Sequence, residues 1–186
     1  MRYTKLLIAV FFIGTLFLHC GGPSTAMEYT HSRAGFKITM PAGWAKISED
    51  NEMFEFRSGD FKLIEVGGFD LELTRDELSG ITDTEVAEWI EESTHEGLEG
   101  YCDEARIVGY TIQKEGPVTW GGLPAYMIQI RGYSEEADKT MIVDLIAAMS
   151  IKTGYMYMFA SQIVESMYQD VKSGLDAAIA SFKLTQ

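Results

Sequence analysis

The sequence predicts an α+β protein, with a central antiparallel sheet and two main helices covering one or both of its faces. Three observations predict it. Apolar residues alternate at a period of two through most of the chain. Two stretches change to helical spacing. Short turns rich in Gly separate consecutive strands, which makes neighbours antiparallel.

Taken in order, Tyr29 to Phe36 reads as a short strand and turn, and Phe36, Ile38 and Met40 then alternate with Lys37 and Thr39 as a half-buried strand does. Pro41-Ala42-Gly43-Trp44 ends that strand, because Pro cannot donate to a ladder and Gly permits a tight turn. Met53 to Arg57 and Phe61 to Val66 form a hairpin around Ser58-Gly59-Asp60. Gly67-Gly68 shifts the alternation, and Phe69, Leu71 and Leu73 resume it, so the glycine pair predicts a bulge or bend.

Thr82 and Glu85 have the spacing of a capping box, which opens a helix running to about Glu96 with Gly97 or Gly100 as its stop. Val86, Trp89, Ile90, Ser93 and Gly97 share one face, and Glu88, Glu92, His95 and Glu99 share the opposite one. Strands resume at Arg106 to Gln113, where Val108, Tyr110 and Ile112 alternate, then at Val118 to Trp120 and Ala125 to Tyr133. The apolar runs Thr140 to Ile151 and Tyr155 to Ile163, hinged at Lys152-Thr153-Gly154, suit central strands covered on both faces. A last helix, Glu165 to Phe182, presents Met167, Val171, Leu175, Ala178 and Phe182 as one stripe.

Ahead of all this stands a leader. Arg2 and Lys5 precede an apolar run from Leu6 to Leu18, too short to span a bilayer, followed by His19-Cys20-Gly21-Gly22-Pro23. A Cys at the end of an export signal predicts lipidation of the Cys20 thiol, which then becomes the mature N-terminus. His19 departs from the small residue that normally precedes such a Cys. Cleavage after Ser24-Thr25-Ala26 is the alternative and would release a secreted or periplasmic soluble protein. The chain is thus divided into a signal peptide over 1–19, a tether over 20–27 and one domain over 28–186. About 160 residues are enough to bury a sizeable core. With Cys20 lipidated or removed, Cys102 has no partner for a disulfide.

The formal net charge is −13, and loss of a leader holding Arg2, Lys5 and no acid makes the remainder more acidic still. That field argues against nucleic acid and against anionic lipid as partners. No Gly-x-Ser-x-Gly elbow is present, and Cys102 with His95 lacks a third orienting group, so no catalytic residue is assigned and the protein is read as a non-enzyme. Glu88, Glu92 and His95, at i, i+4 and i+7, form a candidate metal site, and equally the solvated acidic face of a helix. Tyr155-Met156-Tyr157-Met158-Phe159 reads as core, with the lining of an apolar cavity as its alternative. Neither Gly67-Gly68 nor Gly121-Gly122 has the Lys or helix start of a phosphate loop, and no cofactor is expected.

Tyr29, Gly35-Phe36-Lys37-Ile38 and Pro41-Ala42-Gly43-Trp44 together resemble the opening hairpin of the PsbP family. Gly122-Leu123-Pro124-Ala125-Tyr126 and Ile179-Ala180-Ser181-Phe182 extend the resemblance across 27–186. That family includes the extrinsic subunit of photosystem II and many bacterial lipoproteins of unknown role. The resemblance implies an α/β/α sandwich and an assembly, docking or accessory task, and it carries over no functional residue. The expectation is an exported accessory protein, lipid-anchored to the outer membrane facing the periplasm, that binds a protein partner. A metal- or small-ligand-binding protein using Glu88, Glu92 and His95 is the alternative.

Overall fold

The computed structural model describes residues 22–60 and 62–185, so the leader and Cys20 lie outside the described residues. Ten strands and three helices follow in order: β1 (Met27–His31), β2 (Phe36–Met40), β3 (Ala45–Glu49), β4 (Met53–Arg57), β5 (Lys62–Asp70), α1 (Arg75–Ser79), α2 (Asp83–Glu104), β6 (Ile107–Trp120), β7 (Leu123–Ser134), β8 (Lys139–Ser150), β9 (Tyr155–Val164), α3 (Glu165–Ser181) and β10 (Lys183–Leu184). Seven strands make one antiparallel sheet in the order β3-β4-β5-β9-β8-β7-β6. β8 and β9, the two near-continuous apolar runs, lie in its interior, and both are buried along almost their whole length.

The expected α+β architecture with a central antiparallel sheet is the one observed. One face of the sheet packs under α2 through Val86, Ile90, Leu98 and Tyr101. The other carries α3 and a second, three-stranded sheet, β1-β2-β10, which the sequence does not announce. Phe36, Ile38 and Met40 of β2 bury against Phe54, Phe56 and Phe159. β10 supplies only Lys183 and Leu184 to that sheet, a signal too short for any periodicity.

Four expectations need correction. α2 runs past Gly97 and Gly100 to Glu104, because Leu98, Tyr101 and Cys102 continue its buried stripe. That burial outweighs the roughly 1 kcal/mol by which each glycine disfavours a helix. At Gly67-Gly68 there is neither bulge nor bend: β5 pairs with β9 without a shift from Lys62↔Ile163 to Asp70↔Tyr155. The glycines serve close packing instead, since a Cβ on Gly68 would sit 2.9 Å from the Ala34 Cβ and 3.0 Å from the Tyr157 ring.

β6 is one strand with two bulges, at Val108/Thr111 and Ile112/Lys114. Gly109, at φ +58°, occupies the first. Each bulge resets the alternation, which leaves Val108 and Ile112 exposed. In α3, Tyr168 replaces Met167 in the buried stripe, and Met167 faces outward. β3 and α1 carry too little apolar pattern to be read beforehand, although α1 has its own Thr74–Glu77 capping box.

Candidate functional site

The predicted metal residues lie along the exposed side of α2. Glu88 and Glu92 are exposed. His95 leans toward the sheet instead, with Nε2 3.5 Å from Glu115 Oε2 on β6 and its ring 5.9 Å from that of Tyr126 on β7. Among the described residues, no three His, Cys, Asp or Glu side chains are gathered as a metal ion needs. Cys102 is buried, and desolvation pushes its thiol up to about 12, far from the thiolate a nucleophile requires. Seven positions along a helix also put it roughly 10 Å from His95. His31 is a core histidine: Nδ1 accepts from the Ala34 amide at 3.1 Å, and Nε2 donates to the Asp50 carbonyl at 3.2 Å.

Tyr155-Met156-Tyr157-Met158-Phe159 proves to be central-strand core. Beside it, Asp144 on β8 is buried, with no cationic partner among the described residues, and holds a closed polar cluster. Tyr168 Oη and Ser161 Oγ donate to it, each at 3.0 Å from Oδ2, and Gln129 Nε2 donates to Oδ1 at 2.6 Å. Its acceptors are occupied, so the cluster ties α3 to β7, β8 and β9.

Among the described residues, two concavities lie at opposite ends of the fold. The first is an apolar groove of about 560 Å³ between α3 and the β6–β7 hairpin. Gly121 and Gly122 form its two-residue turn with φ of +61° and +83°, a pair of left-handed conformations that the tightest hairpins need. A Cβ on Gly121 would come within 2.5 Å of the Phe182 ring. Trp120 stacks on Phe182 and donates from Nε1 to the Ile179 carbonyl at 2.9 Å, which clamps the hairpin to the end of α3. Val118, Met127 and Ile146 floor the groove, Ile179 and Ala180 wall it, and Asp176 and Lys183 are its charged members.

The second is a cavity of about 350 Å³ at the β4–β5 and β7–β8 turns. Leu63, Met141, Ala105 and Ala137 give it an apolar wall, and Arg57, Lys62 and Gln162 are among its polar groups. Next along β5 on the Leu63 face comes Glu65, only 7% exposed. It stands directly opposite Glu55 on β4. Burial, then the charges of Glu55 and Glu104, hold the Glu65 carboxyl up at about 8. Burial also raises Glu55, against the lowering pull of Arg57. The sequence pattern hides this acid, because in the run Leu63-Ile64-Glu65-Val66 it looks like the solvent-facing member of a strand.

No protein-family model matches this sequence, and no curated protein matches it. Solved structures do. The Ran-binding protein Mog1p of Saccharomyces cerevisiae superposes with a TM-score of 0.60 at 8% identity, over 88% of this chain and 97% of its own. The cyanobacterial PsbP protein (CyanoP) of Synechocystis gives 0.58 at 15% identity, over 94% and 98%. LpqN of Mycobacterium tuberculosis, described as involved in cell envelope biogenesis, gives 0.55 at 9%, over 87% and 91%. With TM-scores of 0.55 to 0.60 over nearly the whole of each chain, this chain has the fold shared by Mog1 and the PsbP-like proteins.

Proposed function

We propose that this is an exported, non-enzymatic accessory protein of the cell envelope, anchored through lipid on Cys20, that binds a protein partner in the groove between α3 and the β6–β7 hairpin. The observation that carries the binding reading is the groove itself. It is an apolar concavity whose rim, Trp120 to Phe182, is held rigid by stacking and a hydrogen bond. Two neighbours of the same fold support it by analogy, one described as Ran-binding and one as serving envelope biogenesis. Among the described residues no helix is long and apolar enough to cross a membrane.

One contact favours the anchor over cleavage after Ala26. The Gly43 amide donates to the Pro23 carbonyl at 2.9 Å, so the fold uses a residue that such cleavage would discard. Intact mass spectrometry of the mature protein tests this directly. A diacylglyceryl mass on Cys20 is expected, and an unmodified N-terminus at Met27 would refute the anchor.

For the groove, a photo-crosslinking residue at Met127 should trap one envelope protein in stoichiometric yield, and Ile179→Asp should abolish the adduct without lowering Tm by more than a few degrees. Persistence of the adduct in Ile179→Asp would rule the groove out. The alternative, cation binding at Glu88, Glu92 and His95, requires a rise in Tm with Mn²⁺, Zn²⁺ or Ca²⁺ that disappears in the triple Ala variant.

A further inference from the structure

The two sheets leave four edges among the described residues, and three of them are closed to further pairing. β3 carries a bulge between Lys46 and Ser48, β6 carries two bulges and Pro117, and β10 offers only two residues. β1 has none of these devices. It contains no Pro or Gly, and it pairs with β2 without a shift from Met27↔Met40 to His31↔Phe36. The direction of its backbone groups follows from β2. There the Thr39 amide donates to Ser181 Oγ, and Ser181 Oγ donates to the Thr39 carbonyl, on the β10 side of the strand. Alternation then turns Ile38 toward Tyr29 and leaves the amides and carbonyls of Glu28 and Thr30 at the free edge.

Two further observations set this edge apart from the rest of the surface. Exposed apolar side chains flank it: Met27, its first residue, is 43% exposed, and Ile47, inserted by the β3 bulge, is 49% exposed. Ile47 follows Lys46, whose Nζ lies over the Tyr29 ring at 5.8 Å, and Tyr29 in turn donates to Met27 Sδ at 3.9 Å. The charge differs as well. Residues 22–49 hold Arg33, Lys37 and Lys46 against Glu28 and Glu49, whereas α2 carries nine acids and neither Lys nor Arg. Glu28 is itself paired with Lys37 at 3.0 Å. In a chain of net charge −13, this flank lets a second copy approach without acid meeting acid.

We infer that β1 is the interface for a second copy of this chain, paired antiparallel through the same strand about a two-fold axis at Tyr29. That register is self-complementary. Glu28 of each copy exchanges both backbone hydrogen bonds with Thr30 of the other, and the two Tyr29 side chains meet at the closer, non-bonded position between them. Other registers are worse. A shift by one residue sets the outward groups of one copy against residues whose own groups are spent on β2. An axis at Glu28 puts two carboxylates directly opposite each other, and an axis at Thr30 pairs Glu28 with Ser32, outside the strand. This surface is separate from the groove between α3 and the β6–β7 hairpin. The joined sheet runs β10-β2-β1-β1-β2-β10, about 24 Å across at the usual strand spacing, so the two grooves, each bordered by Lys183, open at its outer ends.

Sedimentation equilibrium of the purified mature protein, in density-matched detergent where it carries lipid, measures the association. A reversible monomer–dimer equilibrium is expected. Thr30→Glu sets a like charge against Glu28 of the other copy at both pairs and should weaken the dimer tenfold or more, although within its own copy the new acid faces Lys37. Thr30→Lys makes opposite-charge pairs at the same places and should associate at least as tightly as the parent. Thr30 is exposed, so both variants should keep the parent Tm within a few degrees. Hydrogen exchange supplies an independent reading. The Glu28 and Thr30 amides should gain protection as concentration rises, while the Tyr29 amide, already bonded to β2, should not change. A monomer at millimolar concentration, equal effects of the two variants, or a dimer that leaves Glu28 and Thr30 unprotected would overturn the inference.

Discussion

Trp120 and Phe182 stack with ring centroids 3.9 Å apart, and this contact joins the tip of the β6–β7 hairpin to the end of α3. The indole Nε1 also donates to Ile179, 59 positions away. Truncating a buried aromatic removes transfer energy and leaves a cavity, together about 3–5 kcal/mol. Trp120→Ala should lose that much in urea denaturation. Trp120→Phe, which keeps a ring but loses the indole bond to an Ile179 carbonyl that still accepts from the Phe182 amide, should lose about 0.5–1.5 kcal/mol. A loss below about 1 kcal/mol for Trp120→Ala would show that the hairpin is not clamped.

Glu65 ties stability to pH. Its folded pKa of about 8 lies above the ordinary carboxylate value of 4.5, chiefly through burial. The folded state therefore keeps a proton that the unfolded chain has released. Its contribution is complete below pH 4.5 and is lost as pH rises toward 8, with a slope of at most about 1.4 kcal/mol per pH unit. Glu65→Gln mimics the protonated form. The variant should be as stable as the parent at pH 5 and more stable at pH 8, read from urea midpoints. Parallel pH profiles for the two proteins would contradict the assignment.

Gly68 is required by its neighbours rather than by its backbone angles. Gly68→Ala should cost about 1–3 kcal/mol by overpacking against Ala34 and Tyr157. Pairing with Ala34→Gly, which removes the nearer contact, should recover part of the loss. Additive losses in that double variant would show that Ala34 is not the obstruction.

Asp144 gathers three donors, and removing it leaves the Tyr168 and Ser161 hydroxyls without that acceptor in a buried place, while Gln129 Nε2 keeps its bond to Tyr168 Oη. Asp144→Ala should destabilise by about 2–4 kcal/mol, whereas Asp144→Asn, which keeps one acceptor oxygen, should cost about half as much. Arg131→Ala breaks the exposed two-bond pair with Glu165 and should cost under about 1 kcal/mol. An Arg131 loss equal to that of Asp144→Ala would invert the argument from burial.

Much of the fold was legible because local patterns carried it. The apolar runs of β8 and β9 and the Thr82–Glu85 box of α2 each announce themselves within a dozen residues. The end of α2 was not legible, because Gly97 and Gly100 argue locally for a stop that the burial of Leu98 and Tyr101 overrides. β6 misled for a related reason: its bulges break the period from which its buried face was read.

By itself, the sequence determined the composition of the layers and the acidic field, since charge and periodicity are properties of neighbours along the chain. Only the tertiary structure decided which distant residues meet. Pairing of β4 with β5 set Glu55 against Glu65 and Arg57 beside Leu63, and the packing of α3 brought Phe182 onto Trp120. The first pairing follows from the register of one sheet and the second from the docking of α3 on it, and register is fixed by burial of the whole face rather than by any local run.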